Sequence, residues 1–283
     1  MIKAFSAPLQ EDLTEFTQFL WQNEIPHRVL EFDDRQELWV ARSISSEQIC
    51  RLFELWRRGE DLSQLNISVN HNQGQNDFFT TAKRAWFSTA LIFFSAMLSF
   101  LIGFGENIDL LRHFTFTEIF LQGDNLYTRA LLHNVESFQL WRFISPIFLH
   151  FSAPHIIFNA LWIWIVGTRM EIMQGRLPLL LLVLFAGVAS NFAQYWVSGP
   201  MFGGLSGIVF ALLGYAWLWD KLNSANRFGL PPALMGFMLF WLVLGYTGVL
   251  EGIGFGAIAN TAHLVGLIAG LIFVPVGRLF IKR

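Results

Sequence analysis

Long apolar stretches, separated by short polar segments, make up most of the chain after about residue 83. A helix needs about 20 apolar residues to cross the hydrocarbon core of a bilayer, so stretches close to this length predict membrane-spanning helices. Six are predicted: Trp86–Gly105, a segment from Pro154 to about Thr168, Leu177–Val197, Ser206–Trp219, Pro232–Leu250 and Ala257–Leu279. The pattern therefore predicts an all-α polytopic membrane protein with six transmembrane helices.

Residues 106–143 interrupt this pattern. The segment carries five acidic residues, and its basic and aromatic residues include Arg112, Arg129, Arg142, Phe114, Phe116, Phe120, Tyr127 and Trp141. It is too polar to span a bilayer. Its length and aromatic content predict a structured loop that lies partly in the membrane interface.

Residues 1–66 have the pattern of a small soluble α+β domain. Between about residues 9 and 23, apolar residues recur at helical spacing, and Pro26 ends the run. His27–Phe32 and Glu37–Ala41 predict two strands, and a second helix is predicted to begin at Ser45. The predicted order is α-β-β-α, with a further strand at Ile2–Phe5 as an open alternative. Residues 67–82, rich in Asn, Gln and Thr, predict a linker to a membrane domain of residues 83–283.

Composition supports the membrane class, because 54% of the residues are hydrophobic and only 14% are charged. Residues 1–66 carry seven Lys or Arg and twelve Asp or Glu, a net charge of −5. The remainder carries twelve and nine, a net charge of +3. A segment with such an acidic balance argues against nucleic-acid binding, which requires basic side chains to neutralise phosphates.

The positive charges predict the orientation of the helices. If six helices alternate, one side of the membrane receives most of the cations outside the long first loop, namely Lys83, Arg84, Arg169, Arg176, Lys221, Arg227, Arg278, Lys282 and Arg283. The loops at 198–203 and 251–256 contain no Lys or Arg. Since cytoplasmic loops carry an excess of Lys and Arg, both termini are predicted to be cytoplasmic and the fourth helix to begin on the outer side.

Ser206 is the first candidate for chemistry. Polar residues at membrane depth are costly and often functional, and segment 202–207 reads Phe-Gly-Gly-Leu-Ser-Gly at the predicted start of the fourth helix. Free N–H groups at a helix N-terminus suit the oxyanion that forms when a serine attacks a carbonyl group. The alternative is an ordinary capping serine with flanking glycines.

His263 is the candidate base. It lies beside Ala262, Gly266 and Gly270, a small-residue ridge that allows two membrane helices to pack closely. The alternative is a buried histidine that only bonds a neighbour. No Asp or Glu lies within predicted helices two to six, so a Ser–His dyad is more economical than a triad. Phe210, one turn after Ser206, is expected to stack on the His263 ring.

His155 and Asn159 lie four residues apart on one face of the second helix, and both side chains could donate to an oxyanion. Their alternative role is interhelical hydrogen bonding, which is also expected of Ser190, Asn191 and Gln194. His150 precedes this helix. Zinc binding by His150, His155 and His263 is a weaker alternative, because the sequence contains no HExxH motif.

Taken in order, these motifs resemble the rhomboid family of intramembrane serine proteases. The similarity rests on Gly204-x-Ser206-Gly207, Ala262-His263-x-x-Gly266 and His150-x4-His155-x3-Asn159, with Trp141-Arg142 and Glu171-x3-Gly175 as further matches. It covers about residues 83–283, and the N-terminal domain resembles the one that some bacterial members carry on the cytoplasmic side. In one departure, Phe210 stands where such members usually have Tyr, so the stacking face is kept and the hydroxyl is lost.

The resemblance implies cleavage of transmembrane protein substrates in a bacterial inner membrane, through an acyl-enzyme and without a cofactor. It implies Ser206 as nucleophile, His263 as general base, and His155, Asn159 and the Ser206 backbone as the oxyanion hole, shaped by Gly204. It also implies an active site open to the periplasm and lateral substrate gating by the fifth helix and loop 251–256. His150 is expected to support structure or water access.

Two other functions remain as alternatives. A non-catalytic relative that escorts transmembrane helices would keep the bundle, although here both members of the dyad are present. A transporter would carry repeated halves, and no internal repeat is evident in the sequence. The substrate, the oligomeric state and the role of residues 1–66 are not determined by these patterns.

Overall fold

The computed structural model describes residues 1–41, 44–60, 62, 73–123, 125–223, 227–249 and 258–280. It divides into two compact units, Met1–Phe79 and Thr80–Arg283. Each unit has its own hydrophobic core, so each is described separately.

The first unit contains β1 (Ile2–Pro8), α1 (Thr14–Gln22), β2 (His27–Glu31), β3 (Arg35–Val40) and α2 (Ser46–Arg57). The strands form an antiparallel sheet in the order β1-β3-β2. The predicted element order is confirmed, including the N-terminal strand, which extends to Pro8. Helix α1 begins later than predicted, at Thr14, whose N–H donates to the Asp12 carboxylate at 2.9 Å.

The core of this unit lies between the sheet and the two helices. Phe16 and Leu20 of α1, Leu38 and Val40 of β3, and Ile49 of α2 are almost completely buried. Removing such residues from water is the main favourable term in forming a small domain. The apolar positions that predicted α1 therefore form the core.

The predicted linker is helical over much of its length. Residues 67–72 lie outside the described residues, but α3 covers Gln73–Arg84. The segment contains no proline, and Ala82, Lys83 and Arg84 favour helix. The assignment of residues 67–82 as a linker stays a prediction, and its described part is helical.

Helices dominate the second unit. In chain order they are α4 (Trp86–Leu101), α5 (Ile108–Leu111), α6 (Leu131–Glu136), α7 (Ala153–Gln174, with a π-helical turn at Ile163–Gly167), α8 (Arg176–Ser198), α9 (Ser206–Leu222), α10 (Pro232–Tyr246) and α11 (Asn260–Arg278). Among the described residues, α7, α8 and α11 are long and apolar enough to cross a membrane. A fourth span results if Phe78–Arg84 and Trp86–Leu101, which meet at 98°, are counted together. The count of six spans stays a prediction.

Several of the predicted helix boundaries are wrong, including the end of α10, which lies at Tyr246 instead of Leu250. Helix α4 ends at Leu101 instead of Gly105, because Gly103, Phe104 and Gly105 all have positive φ angles and cannot continue a right-handed helix. Helix α7 continues past Thr168 to Gln174 and includes an acidic residue, Glu171. The prediction that helices two to six contain no acid is therefore wrong.

Glu171 is only 3% exposed, and its carboxylate caps the N-terminus of α4. One oxygen accepts the Phe87 N–H at 3.0 Å, and the other accepts both the N–H and the hydroxyl of Ser88 at 2.8 Å. Arg176 lies 3.6 Å away and balances the charge. A buried charge is tolerated when it is paired and hydrogen-bonded in this way, so Glu171 joins the start of α4 to the end of α7.

The segment 106–143 is a structured loop, as predicted. Beyond α5 and α6 it contains a hairpin of β4 (Ile119–Gln122) and β5 (Asn125–Thr128), so the prediction of a purely α-helical membrane domain is wrong here. Gly123, with a φ of 63°, lies in the turn. Arg142 is buried and donates to the carbonyl oxygens of Arg112 and Thr115 at 2.7 and 3.1 Å, which holds the loop together.

Helices α9 and α11 pack closely against each other. A Cβ atom added to Gly266 would lie 2.1 Å from the Gly207 carbonyl oxygen, and one added to Gly270 would lie 1.9 Å from that of Ala211. The small-residue ridge predicted on the last helix is thus confirmed, and its partner is α9. This close approach brings the helix carrying His263 against the helix that begins at Ser206.

Candidate active site

Ser206 and His263 contact each other. Ser206 Oγ lies 2.8 Å from His263 Nε2, although the two residues are 57 positions apart in sequence. Ser206 is the first residue of α9 and is partly exposed, whereas His263 is 6% exposed. A hydroxyl hydrogen-bonded to an imidazole nitrogen is the arrangement in which the imidazole can accept the hydroxyl proton.

The His263 ring is held by packing and by its own helix. The Phe210 ring stacks on it, with centroids 4.6 Å apart and an interplanar angle of 15°. The His263 backbone N–H donates to the Ala259 carbonyl at 3.2 Å. Among the described residues, His263 Nδ1 has no hydrogen-bonding partner. The orientation of the ring therefore rests on stacking and helix geometry.

The loop before Ser206 is pressed against the segment that precedes α7. The Gly204 N–H donates to the Pro146 carbonyl at 3.0 Å. A Cβ atom on Gly203 would lie 2.6 Å from Leu149 Cβ, and Gly204 has a φ of 121° that L-residues rarely adopt. Both positions require glycine, the first for space and the second for backbone conformation.

His155 lies beside this loop, as its proposed role requires. A Cβ atom on Gly204 would come within 2.7 Å of His155 Nε2, so the imidazole edge faces the backbone two residues before Ser206. Asn159 is buried one turn further along α7. Its Nδ2 donates to the His155 carbonyl at 3.0 Å, and its Oδ1 has no partner among the described residues. Because an amide nitrogen carries two N–H groups, Asn159 can keep this bond and donate the second N–H to a bound substrate.

His150 holds the backbone next to the serine. The Leu205 N–H donates to His150 Nε2 at 3.2 Å, and His150 Nδ1 lies 3.3 Å from Ser99 Oγ. Because Nε2 accepts, we assign the proton of a neutral His150 to Nδ1, where Ser99 Oγ can accept it. His150 thus links α4 to the residue that precedes Ser206.

The comparisons with known proteins agree with this arrangement. Residues 137–279, just over half of the chain, match the family model described as the Rhomboid domain, and residues 1–66 match that of the Rhomboid N-terminal domain. The chain belongs to the rhomboid family. The first matched range contains Ser206, His263, His155, Asn159 and His150.

Several curated rhomboid relatives are similar to this chain. The protein named Rhomboid protease GlpG from Pectobacterium atrosepticum is 45% identical over 137 residues, which cover 48% of each chain. Proteins of the same name from Yersinia pseudotuberculosis and Yersinia pestis are 46% identical over 134 residues, or 47% of each chain. The chain spans about half the length of the curated relatives it matches.

Some residues at this rhomboid site were not identified from the sequence as part of it. Gln194 was expected to bond another helix, and its Oε1 does accept the Ala262 N–H of α11 at 2.9 Å, next to His263. Ser99, which contacts His150, was not singled out, although Ser95 and Ser99 repeat at helical spacing on the buried face of α4. Asn260 was missed as well. Its position three residues before His263, on the same helix face, was the available signal.

We expect His150→Ala to destabilise this rhomboid domain by about 1–3 kcal/mol, because the buried Leu205 N–H would lose its acceptor. Thermal unfolding in detergent would measure the change. His150→Gln should recover part of the loss, since the amide oxygen can accept the same hydrogen bond. Equal unfolding temperatures for the wild-type protein and His150→Ala would contradict the assigned role.

Proposed function

We propose that this protein is an intramembrane serine endopeptidase that cleaves transmembrane segments of membrane-protein substrates with a Ser206–His263 dyad. The observation that carries the proposal is the 2.8 Å contact between Ser206 Oγ and His263 Nε2 at the N-terminus of α9. Membership of the rhomboid family and relatives named as rhomboid proteases support it.

In the acylation step, His263 Nε2 accepts the Ser206 proton while Ser206 Oγ attacks the carbonyl carbon of the scissile peptide bond. The carbonyl oxygen becomes an oxyanion. When this intermediate collapses, the C–N bond breaks, and the departing amine takes the proton from His263. The product is an ester between Ser206 and the N-terminal part of the substrate.

The oxyanion would be stabilised by donors that surround the Ser206 backbone. The free N–H groups in the first turn of α9 point toward this region, since a helix leaves its first N–H groups unpaired. His155, beside Gly204, and the second N–H of the Asn159 amide supply side-chain donors. Oriented donors in a site shielded from water stabilise a developing negative charge more strongly than the same groups in water.

The second step requires water. His263 removes a proton from a water molecule, whose oxygen attacks the ester carbon, and the Ser206–acyl bond breaks as Ser206 Oγ is reprotonated. Water must therefore reach a site at the start of α9. We propose a bacterial inner-membrane protein with cytoplasmic termini and a site that opens to the periplasm, a topology supported by the distribution of Lys and Arg.

We propose that six helices, α4 and α7–α11, form the transmembrane domain within residues 83–283, after a cytoplasmic domain at 1–66 and a connecting segment at 67–82. Substrates would enter laterally past α10. The rings of Phe158 on α7 and Trp241 on α10 contact each other, with centroids 6.0 Å apart. The route is supported because α7 carries His155 and Asn159, and this contact between α7 and α10 would have to open for a substrate to pass between the two helices. The predicted gating loop 251–256 lies outside the described residues.

The test is labelling of the purified protein with a fluorophosphonate, followed by mass spectrometry of the labelled peptide. We expect the label on Ser206, because only a serine with an activated hydroxyl reacts readily with this reagent. Pretreatment with a chelator should not change the labelling. A protein that does not label, or labels on another serine, would contradict the proposal.

A further inference from the structure

Helix α10 has few buried residues. Met238 and Leu242 are buried, while Leu239, Phe240, Val243 and Tyr246 are between 44% and 64% exposed. An element with few buried apolar contacts is among the first to move in a folded protein. Contacts that hold α10 in place therefore control whether a substrate can pass α10 and reach Ser206 laterally.

One such contact connects α10 to α11, the helix that carries His263. Asn260, the first residue of α11, donates from Nδ2 to the Gly245 carbonyl oxygen at 2.7 Å. The approach is very close, since a Cβ atom on Gly245 would lie 2.0 Å from Asn260 Oδ1. Glycine at 245 therefore leaves the space that this hydrogen bond requires.

The contact between Asn260 and Gly245 leaves one polar atom of the Asn260 amide without a partner among the described residues. Asn260 Oδ1 is buried and has no hydrogen-bonding partner among the described residues. A buried amide oxygen without a partner is less stable than one that is hydrated. Moving α10 away would break one hydrogen bond but would expose this oxygen to hydration, so the closed arrangement is only weakly favoured.

The position of His263 does not depend on this contact. The Ala262 N–H is held by Gln194 of α8, and the His263 ring is stacked on Phe210 of α9. These partners lie on helices other than α10. Releasing Asn260 should therefore free α10 while the base stays in place.

We propose that Asn260 is a positioning residue that latches α10 closed, and that breaking its hydrogen bond to Gly245 admits the transmembrane substrate. The proposal rests on the proposed function. Asn260 acts on substrate access and takes no part in the chemical steps.

The experiment compares Asn260→Ala with the wild-type protein in proteoliposomes, using a transmembrane substrate and a small fluorophosphonate. We expect kcat/KM for the substrate to rise about three- to tenfold, the range that corresponds to one net hydrogen bond. The rate of Ser206 labelling by the small reagent should stay within twofold. Asn223→Ala is the matched control, because Asn223 Nδ2 makes the same kind of bond, at 2.9 Å, within its own helix.

A second variant tests the latch from the other side. In Gly245→Ala the new methyl group would collide with Asn260 Oδ1, so the Asn260 side chain must shift and its hydrogen bond to the Gly245 carbonyl breaks. The same rise in kcat/KM is therefore expected. Gly236→Ala, at a position on α10 where a Cβ atom meets nothing within 4 Å, should leave the rate unchanged. In the Asn260→Ala background, Gly245→Ala should add little, because its collision partner is gone.

The outcomes separate the two proposals. If the wild-type protein neither labels nor cleaves, the proposed function fails. Suppose that the wild-type protein labels and cleaves, but Asn260→Ala and Gly245→Ala leave kcat/KM unchanged or lower it together with labelling. The role of Asn260 as a latch is then contradicted, while the proposed protease function stands.

Discussion

Ser206→Ala should abolish cleavage of a reconstituted transmembrane substrate. The substitution removes the only atom at this position that can form the acyl-enzyme, so we expect kcat to fall by at least about 10⁴-fold, as in other serine hydrolases that lose the nucleophile. Ser206 is partly exposed and its hydroxyl contacts His263. The loss of one oxygen should therefore leave the helix bundle folded, with an unfolding temperature within a few degrees of the wild-type value.

A matched control is Ser95→Ala. Ser95 is another serine in an apolar helix, but it is buried and its hydroxyl donates to the Leu91 carbonyl of its own helix at 2.8 Å. This variant should cleave at close to the wild-type rate. Substantial activity in Ser206→Ala, with Ser95→Ala behaving as wild type, would refute the nucleophile assignment.

Gly270→Ala should impair both stability and activity, although Gly270 lies about two turns from His263. The added methyl carbon would lie 1.9 Å from the Ala211 carbonyl oxygen, which belongs to the backbone and cannot rotate away. Helices α9 and α11 would have to separate. We expect a loss of about 1–3 kcal/mol in the free energy of unfolding, and about 100-fold in kcat, because a displacement near 1 Å misaligns reacting groups.

Gly236→Ala is the matched control for this experiment. It is also a helical glycine, but a Cβ atom there meets nothing within 4 Å. Since alanine favours helix over glycine, this variant should be as stable as the wild-type protein or slightly more so. Unfolding curves and cleavage rates would be measured for both variants. If Gly270→Ala matched Gly236→Ala in both, the close packing of α9 on α11 would not be what aligns the dyad.

Much of the architecture could be predicted from local pattern. Among the described residues, the apolar runs predicted the six long helices of the second unit, and helical and strand periodicity predicted the elements of the first. The errors occurred where backbone conformation or contacts with distant residues overrode the local apolar pattern. Helix α4 stops at residues with positive φ in an apolar stretch. Helix α7 continues through Glu171, whose buried carboxylate is hydrogen-bonded by Phe87 and Ser88, far away in sequence.

The candidate site was also predictable in part. Ser206, His263 and His155 could be named because a polar group at membrane depth is unusual enough to require a reason. Gly204 was named from the resemblance to the rhomboid family. Asn260 and Ser99 are equally polar but were missed, since each becomes informative only when its partner, Gly245 or His150, is known. Single positions in a sequence do not identify such partners.

The sequence by itself determined where apolar helices form and which polar residues they carry, because these properties depend on neighbours within one or two turns. Only the tertiary structure decided which helices meet. Helix α9 is apolar on nearly every side, so its pattern predicts burial without specifying a partner. Gly266 and Gly270 allow α11 to approach α9 closely, which makes α11 the partner of α9. This packing places His263 Nε2 2.8 Å from Ser206 Oγ.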